Sequence, residues 1–177
     1  MKYWLDTEFI EDGHTIELLS IGLVCEDWRE LYAENNEADL SRANEWVRST
    51  VLPQLWSPHR ATLWSQSVAT RGGYLSRTDI AHELVRFCDA QLYGTPEFWG
   101  NYADYDWVVL CQLFGTMMQL PRGWPMYCND IKQWAVMLGD PSLPAEGKNV
   151  HHALADAHWN RRAWEYLDNM RVYLVAY

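Results

Sequence analysis

The sequence predicts a mixed α/β domain whose central sheet opens with an antiparallel meander and is flanked by helices. Three observations carry this reading. Residues 2–33 hold three β-rich runs joined by tight turns, residues 38–95 carry mainly helical spacing, and a strand-like run at 96–101 sits between helical stretches. The expected order is three strands, two helices, a strand and three helices, an arrangement that packs helices on a sheet.

Each element has its own justification. "KYWLD" (2–6) is a short β-rich run ending at an aspartate, and "EDGH" (11–14) carries an Asp-Gly turn signal. "TIELLSIGLVC" (15–25) begins with alternation and then turns apolar at nearly every position, as in a strand covered on both faces. Glu26 and Asp27 turn the chain into a third strand, "WRELYA". Leu40, Ala43, Val47 and Val51 then recur at helical spacing, with Pro53 ending that helix. Residues 57–75 read as irregular, the "ATRGGY" glycine pair being a candidate hinge. A second helix carries Ile80, Leu84, Phe87 and Cys88 on one face, with Ser76 or Thr78 as its cap. "PEFWGN" (96–101) is a strand, 104–114 a buried helix, 130–138 a short helix and 139–149 a loop. The last helix runs from about 150, with Leu154, Ala157, Trp164, Leu167 and Leu174 as its apolar stripe.

The 177 residues suit one domain with a real core, here 1–177 with a helical segment at about 38–95. No apolar run approaches the length of a membrane span, and carboxylates in "MKYWLDTEFIEDG" stand where a signal peptide would be apolar. Cys25, Cys88, Cys111 and Cys128 are scattered without a CxxC pair, as in buried thiols of a reducing compartment, so the cytoplasm is expected. A net charge of −10 argues against a protein that coats nucleic acid non-specifically. It leaves room for an enzyme acting on nucleic acid at one metal-filled pocket, where bound ions dominate the local charge. The eleven tryptophans are expected mostly in the core or at a subunit interface, with a minority free to stack on bases.

Three acidic places stand out. In "LDTEF", Asp6 and Glu8 share one face of a strand, about 6.5–7 Å apart along the chain, and two such carboxylates repel unless a cation lies between them. In "WGNYADYDWVVL", Asp104 suits an ordinary helix start, whereas Asp106 is set among apolar residues and wants a partner. In "NVHHALADAHWN", Asp156 follows His151 by five residues, near a helix start for which Asn149 is a plausible cap. The positive end of the helix dipole keeps such an imidazole neutral, the form a general base must have. Hard oxygen ligands without cysteine favour Mg²⁺ or Mn²⁺. Two such ions, about 3.5–4 Å apart, suit in-line phosphodiester cleavage.

Taken in order, Asp6-x-Glu8, then Asn101 with Tyr105-Asp106, then His151-x4-Asp156 resemble the three motifs of the DEDDh 3′–5′ exonucleases, a ribonuclease H-like group. The runs "DTEFIEDGHTIELLSIG" and "YDWVVLCQLFG" are most similar to the polyadenylate-specific 3′-exoribonucleases (RNase AS) and their phage relatives. The resemblance implies a ribonuclease H-like fold and a homodimer that uses two Mg²⁺ ions. It also implies release of nucleoside monophosphates from the 3′ end of single-stranded, adenine-rich RNA such as poly(A). By the same resemblance Asp6, Glu8 and Asp156 bind metal, Asp106 completes the set, and His151 takes a proton from the attacking water. Phe9 supports the terminal base, and Asn101 braces its motif. The main chain around Thr7–Phe9 and the Glu8 carboxylate, beside the metals, are candidates to meet a 2′-hydroxyl. Arg71 is a weaker candidate for a phosphate contact. Two features depart from simpler members: the helical segment is long, and Tyr105 stands where Phe is commoner. The alternatives are a DNA 3′–5′ exonuclease and a non-catalytic nucleic-acid or protein-binding relative. Between the two histidines, the His-x4-Asp spacing selects His151 for chemistry and leaves His152 to packing or capping.

Overall fold

Strand β1 runs Lys2–Glu11, well past the expected run, so Asp6 and Glu8 lie inside a strand rather than at its end. The computed structural model describes residues 1–55, 70–147 and 150–175. Strands β2 (Ile16–Cys25) and β3 (Glu30–Asn35) complete the antiparallel meander. Strand β4 (Thr70–Leu75) adds parallel to β3, while β5 (Glu97–Gly100) and β6 (Asn129–Asp130) add parallel on the free side of β1. The six-stranded sheet therefore has the order β4-β3-β2-β1-β5-β6. This is the mixed sheet, opening with a meander and flanked by helices, that the sequence predicts.

Two layers cover the sheet. Tyr3, Leu5 and Phe9 of β1 face helices α1 (Arg77–Phe87) and α3 (Asp104–Gln112), meeting Ile80, Leu84, Trp107 and Leu110. Trp4 faces the other way, against α4 (Ile131–Met137) and α5 (Ala153–Val175), where Ile131, Ala135, Trp159, Ala163 and Leu167 are buried. Asp6 and Glu8, two and four residues on, take the α5 side by the same period-two rule. Pairing of β1 with β2 shifts register between Glu8 and Phe9, where Glu8 meets Ser20 and Phe9 meets Leu18. Such a bulge re-aims the side chains around it.

The largest departure from expectation lies in residues 38–75. The single helix ending at Pro53 is instead a 3₁₀ turn at Leu40–Arg42, a wide π-helical turn at Val47–Val51, and a second 3₁₀ turn at Leu52–Gln54 that contains Pro53. Side chains take over the backbone here: Asn44 Oδ1 accepts from the Val47 amide, and Arg48 donates to the Ala43, Leu40 and Ser41 carbonyls. Ala43, Val47 and Val51 of the stripe are buried against Ile10 and Leu19, but Leu40 is exposed. Residues 70–75, expected to be irregular, form β4. Its Gly72 is fixed by space and conformation rather than by a hinge, since φ is +118° and an added Cβ would stand 1.8 Å from the Tyr32 carbonyl oxygen. The expected loop at 57–69 lies outside the described residues.

The remaining elements follow the expected positions. Ser76 caps α1 as expected, its hydroxyl accepting from the Asp79 amide. The short helix α2 (Ala90–Tyr93) and strand β6 were not legible, being four and two residues long. All four cysteines are free, and Cys25, Cys88 and Cys111 are buried. Among the described residues no helix is long and apolar enough to cross a membrane.

One close approach sets the height of α5. A Cβ added at Gly22 would stand 2.4 Å from the Ala153 carbonyl carbon and oxygen and from the Leu154 nitrogen. Gly22→Ala must therefore push the first turn of α5 off the sheet. Overpacking of this kind costs roughly 1–3 kcal/mol. At about 2–4 °C per kcal/mol for a domain of this size, thermal denaturation should show a clear loss in melting temperature. Activity should fall with it, because that turn carries Asp156.

Candidate active site

The site assembles where β1 outruns its parallel neighbour. Strand β5 pairs with β1 only from Lys2 to Trp4, and the chain then leaves the sheet after Gly100. The Thr7 amide is thus free of that ladder, and Asp106 of α3 takes it: Asp106 Oδ1 accepts from Thr7 N at 2.8 Å and Thr7 Oγ1 at 2.6 Å. The turn between β5 and α3 is anchored by Asp130, whose Oδ2 accepts from the Ala103 amide at 2.8 Å.

On the other face, α5 is tied to β1 and β2. Asn160 Nδ2 donates to the Leu5 carbonyl at 2.8 Å, and Arg161 Nη1 donates to the Cys25 carbonyl at 2.7 Å. Arg161 is buried. These ties bring Asp156 over the β1 carboxylates. Asp6, Glu8 and Asp156 each offer an oxygen within 4.8 Å of the others. A cavity of about 120 Å³ adjoins them, lined by Asp6, Asn101, Glu146, His151, Asp156 and Asn160 among others.

Such a cluster is electrostatically expensive. Burial first, then the charges of Asp106, Glu8 and Asp156, push the Asp6 carboxyl well above the usual range. Burial, followed by Asp156 and Asp106, pushes Glu8 up to about 8. Asp106 rises to about 6 through burial, against the opposing hydrogen bonds from Thr7. Burial also raises Asp156, with the His152 and His151 amides opposing it. Converging, crowded oxygens of this kind fit a divalent cation, which removes the repulsion that makes them unfavourable alone. Asp6, Glu8 and Asp156 are the residues placed to hold it. Asp106 stands outside that group but close enough to act on Asp6 through its charge.

The two histidines have different surroundings. His151 and His152 lie on the turn before α5, and Asp156 Oδ2 accepts from both amides, at 2.8 and 3.1 Å. The acid thus caps the helix start from within its first turn, while Asn149, the expected cap, lies outside the described residues. His151 has a left-handed backbone, φ +65°, which few residues other than glycine adopt. Its ring lines the cavity and meets Trp46 edge-on. His152 stacks on Tyr32 with ring centroids 4.6 Å apart, and burial lowers its pKa, so it is a packing residue.

Other expected residues fall into place unevenly. Phe9 and Tyr105 form an edge-to-face pair at 5.8 Å, with Tyr105 exposed. Asn101 lines the cavity with its Oδ1 buried and without a partner, so it presents an acceptor to the site rather than merely bracing its motif. Thr7 spends both donors on Asp106 and is a brace, not a free substrate contact. Arg71 pairs through its backbone with Leu31 in β4, while its side chain lies outside the described residues. Sequence reasoning missed Glu146 and Trp46. Glu146 sits in a loop with no spacing signal, and Trp46 is one tryptophan among many. Asn160 was within reach, four residues beyond Asp156 on the same helix face.

Residues 1–167 match the family model described as the 3′-5′ exoribonuclease Rv2179c-like domain. The chain belongs to this family. It is a 3′–5′ exoribonuclease, and its substrate is RNA. Two 3′-5′ exoribonucleases of Mycobacterium tuberculosis, Rv2179c of strain H37Rv and MT2234.1 of strain CDC 1551, are each 43% identical over 157 residues, 89% of this chain and 87% of theirs. Among solved structures, the Neurospora crassa Pan2 catalytic unit (protease and nuclease domain) aligns over 98% of this chain and 28% of that one. Identity there is 14% and the TM-score 0.42.

The raised carboxyls give a testable pH dependence. A group raised on folding favours the fold while protonated, and that contribution is lost as pH climbs through the folded value. For Glu8 the window runs from about 4.5 to about 8. In EDTA the melting temperature should fall across that window, and Mg²⁺ should restore it most near the upper end. Glu8→Gln should melt higher than the parent in EDTA at about pH 8 and gain less from Mg²⁺. Calorimetry showing no Mg²⁺ effect at that pH would count against a cation at this cluster.

Proposed function

We propose that this exoribonuclease is a two-metal enzyme of the DEDDh type, close to the polyadenylate-specific group, with His151 as general base. The observation that carries the reading is the Asp6–Glu8–Asp156 triangle with His151 on the rim of the same cavity. Two Mg²⁺ ions, or Mn²⁺ in their place, would be held by Asp6, Glu8 and Asp156, with Asp106 completing the set. When bound, they supply positive charge to the attacking and leaving oxygens of phosphodiester hydrolysis.

The chain's own groups do the rest. His151 takes a proton from the attacking water, its turn held by the Asp156 carboxylate. Thr7 holds Asp106 in the orientation that faces Asp6. The Phe9–Tyr105 pair offers an aromatic surface to the 3′-terminal base, for which stacking is tolerant of sequence. The Asn101 oxygen and the Glu8 carboxylate are acceptors suited to a 2′-hydroxyl, the group that separates RNA from DNA. The products are nucleoside 5′-monophosphates. The adenine preference and the homodimer rest on the motif resemblance. Cytoplasmic residence is supported by the four free thiols.

The test is a degradation ladder on poly(A), poly(U), mixed RNA and DNA of one sequence, with Mg²⁺, Mn²⁺ or EDTA. The expected outcome is 3′-end shortening with release of mononucleotides, fastest on poly(A), and none in EDTA. Equal or faster turnover of DNA would overturn the RNA preference. Asp156→Asn should abolish cleavage. His151→Ala should lower turnover by roughly 10²–10⁴-fold, the usual worth of a general base. His152→Ala should cost far less, and a reversed order of the two losses would reject the assignment.

A further inference from the structure

Trp56 and Trp64 lie outside the described residues; of the other tryptophans only Trp28 and Trp46 are largely exposed, at 61% and 53%. Trp28 has an evident task, since the Arg161 guanidinium lies 3.4 Å above its ring. Trp46 meets His151, with ring centroids 5.0 Å apart and planes at 85°. An indole this exposed gains little from burial, and the edge-on contact with His151 is its main specific interaction among the described residues.

The base from which this indole projects is rigid. Val47, the next residue, and Val51 are buried in the cluster with Ile10 and Leu19. Asn44 Oδ1 accepts from the Val47 amide at 2.9 Å. Arg48 donates to the Ala43 carbonyl at 2.8 Å and to those of Leu40 and Ser41 at 2.9 Å. The histidine it touches is held differently. His151 sits outside α5 on a left-handed backbone, tied through its amide to Asp156. That tie fixes the main chain but not the rotation of the imidazole.

We propose that Trp46 is a positioning residue for His151, its ring selecting the imidazole rotamer that faces the cavity lined by Asp6 and Asp156. Aromatic edge-to-face contacts have a defined geometry, and rotamer wells are discrete, so one rigid neighbour suffices to choose among them. This inference rests on His151 being the general base. The role also explains why a surface turn remote in sequence from the three motifs is built so firmly.

The experiment is steady-state kinetics on poly(A) with Mg²⁺ for Trp46→Ala, Trp46→Phe, Trp46→Leu, His151→Ala and the Trp46→Ala/His151→Ala pair. Trp46→Ala should lower kcat roughly tenfold, short of the 10²-fold that an ångström of misplacement can cost. KM, melting temperature and the Mg²⁺ concentration for half-activity should stay close to the parent's. Trp46→Phe should recover most of the loss, and Trp46→Ala should cost nothing further once His151 is alanine. Unchanged kcat in Trp46→Ala overturns the proposal. So does a raised KM with kcat intact, which would make the indole a substrate contact. Recovery by Trp46→Leu also overturns it, because bulk and not an aromatic ring would then be what matters. If His151→Ala keeps full kcat, the general-base reading falls and this inference with it. If His151→Ala is impaired and Trp46→Ala is not, only the role of Trp46 falls.

Discussion

Three carboxylates converging within 4.8 Å in a largely buried place form the constraint around which this molecule is arranged. Left alone they repel, and burial removes the water that would screen them. The fold holds them regardless, because each carboxylate comes from an element anchored by other means. Asp6 and Glu8 belong to the strand at the middle of the sheet, with partners on both sides. Asp156 belongs to a helix tied to that sheet by Asn160 and Arg161. Stability made elsewhere is thus spent holding an unfavourable cluster in readiness for cations, the usual relation between a fold and a preorganised site.

The approach of α5 to the sheet shows how finely this is set. Gly22 leaves no side chain between β2 and the first turn of α5, so the helix start lies directly over β1 and β2. The preceding turn must then drop onto the sheet within two residues, and His151 takes a left-handed backbone to do it. Asp156 accepts from both histidine amides, which offsets part of that strain. One carboxylate therefore serves as helix cap and as clamp on the His151–His152 turn, and it also belongs to the cluster that could hold a cation.

Much of this was legible in the sequence, for reasons that differ by element. The meander was readable because β2 is apolar at nearly every position and its turns carry charge and glycine. The acidic set was readable because strand periodicity places Asp6 and Glu8 on one face whatever the tertiary structure. The separation of His151 from His152 came from the spacing to Asp156, and the stacking of His152 on Tyr32 supplies its physical reason. Residues 38–55 were misread because Ala43, Val47 and Val51 do face the core at helical spacing, while Asn44 and Arg48 capture the backbone groups that a continuous helix needs. Strand β4 was missed because Gly72 and Gly73 depress strand propensity, and only close packing against Tyr32 reveals why glycine is needed there. Thr7, Glu146 and Trp46 act through contacts across the fold, and no local pattern announces such contacts.

The acidity of the chain, at first sight at odds with a polyanionic substrate, is compatible with the same constraint. A net charge of −10 would repel RNA if it acted as a uniform field. At the site the relevant charge is local: a few carboxylates facing divalent cations come near neutrality, and the bound ions then dominate the field that a phosphate meets. Among the described cations around the sheet, several are already committed. Arg42 pairs with Asp12 and Glu17, Arg29 with Asp27, and Arg161 with Glu165 and two backbone carbonyls. In the proposed reading, recognition of the strand falls to the aromatic faces of Phe9 and Tyr105 and the Asn101 acceptor, groups suited to a chain end rather than to coating a long polymer. With cations bound at that cluster, such an enzyme would engage RNA at the site and leave the rest of the strand free, as an exonuclease working from a free 3′ end requires.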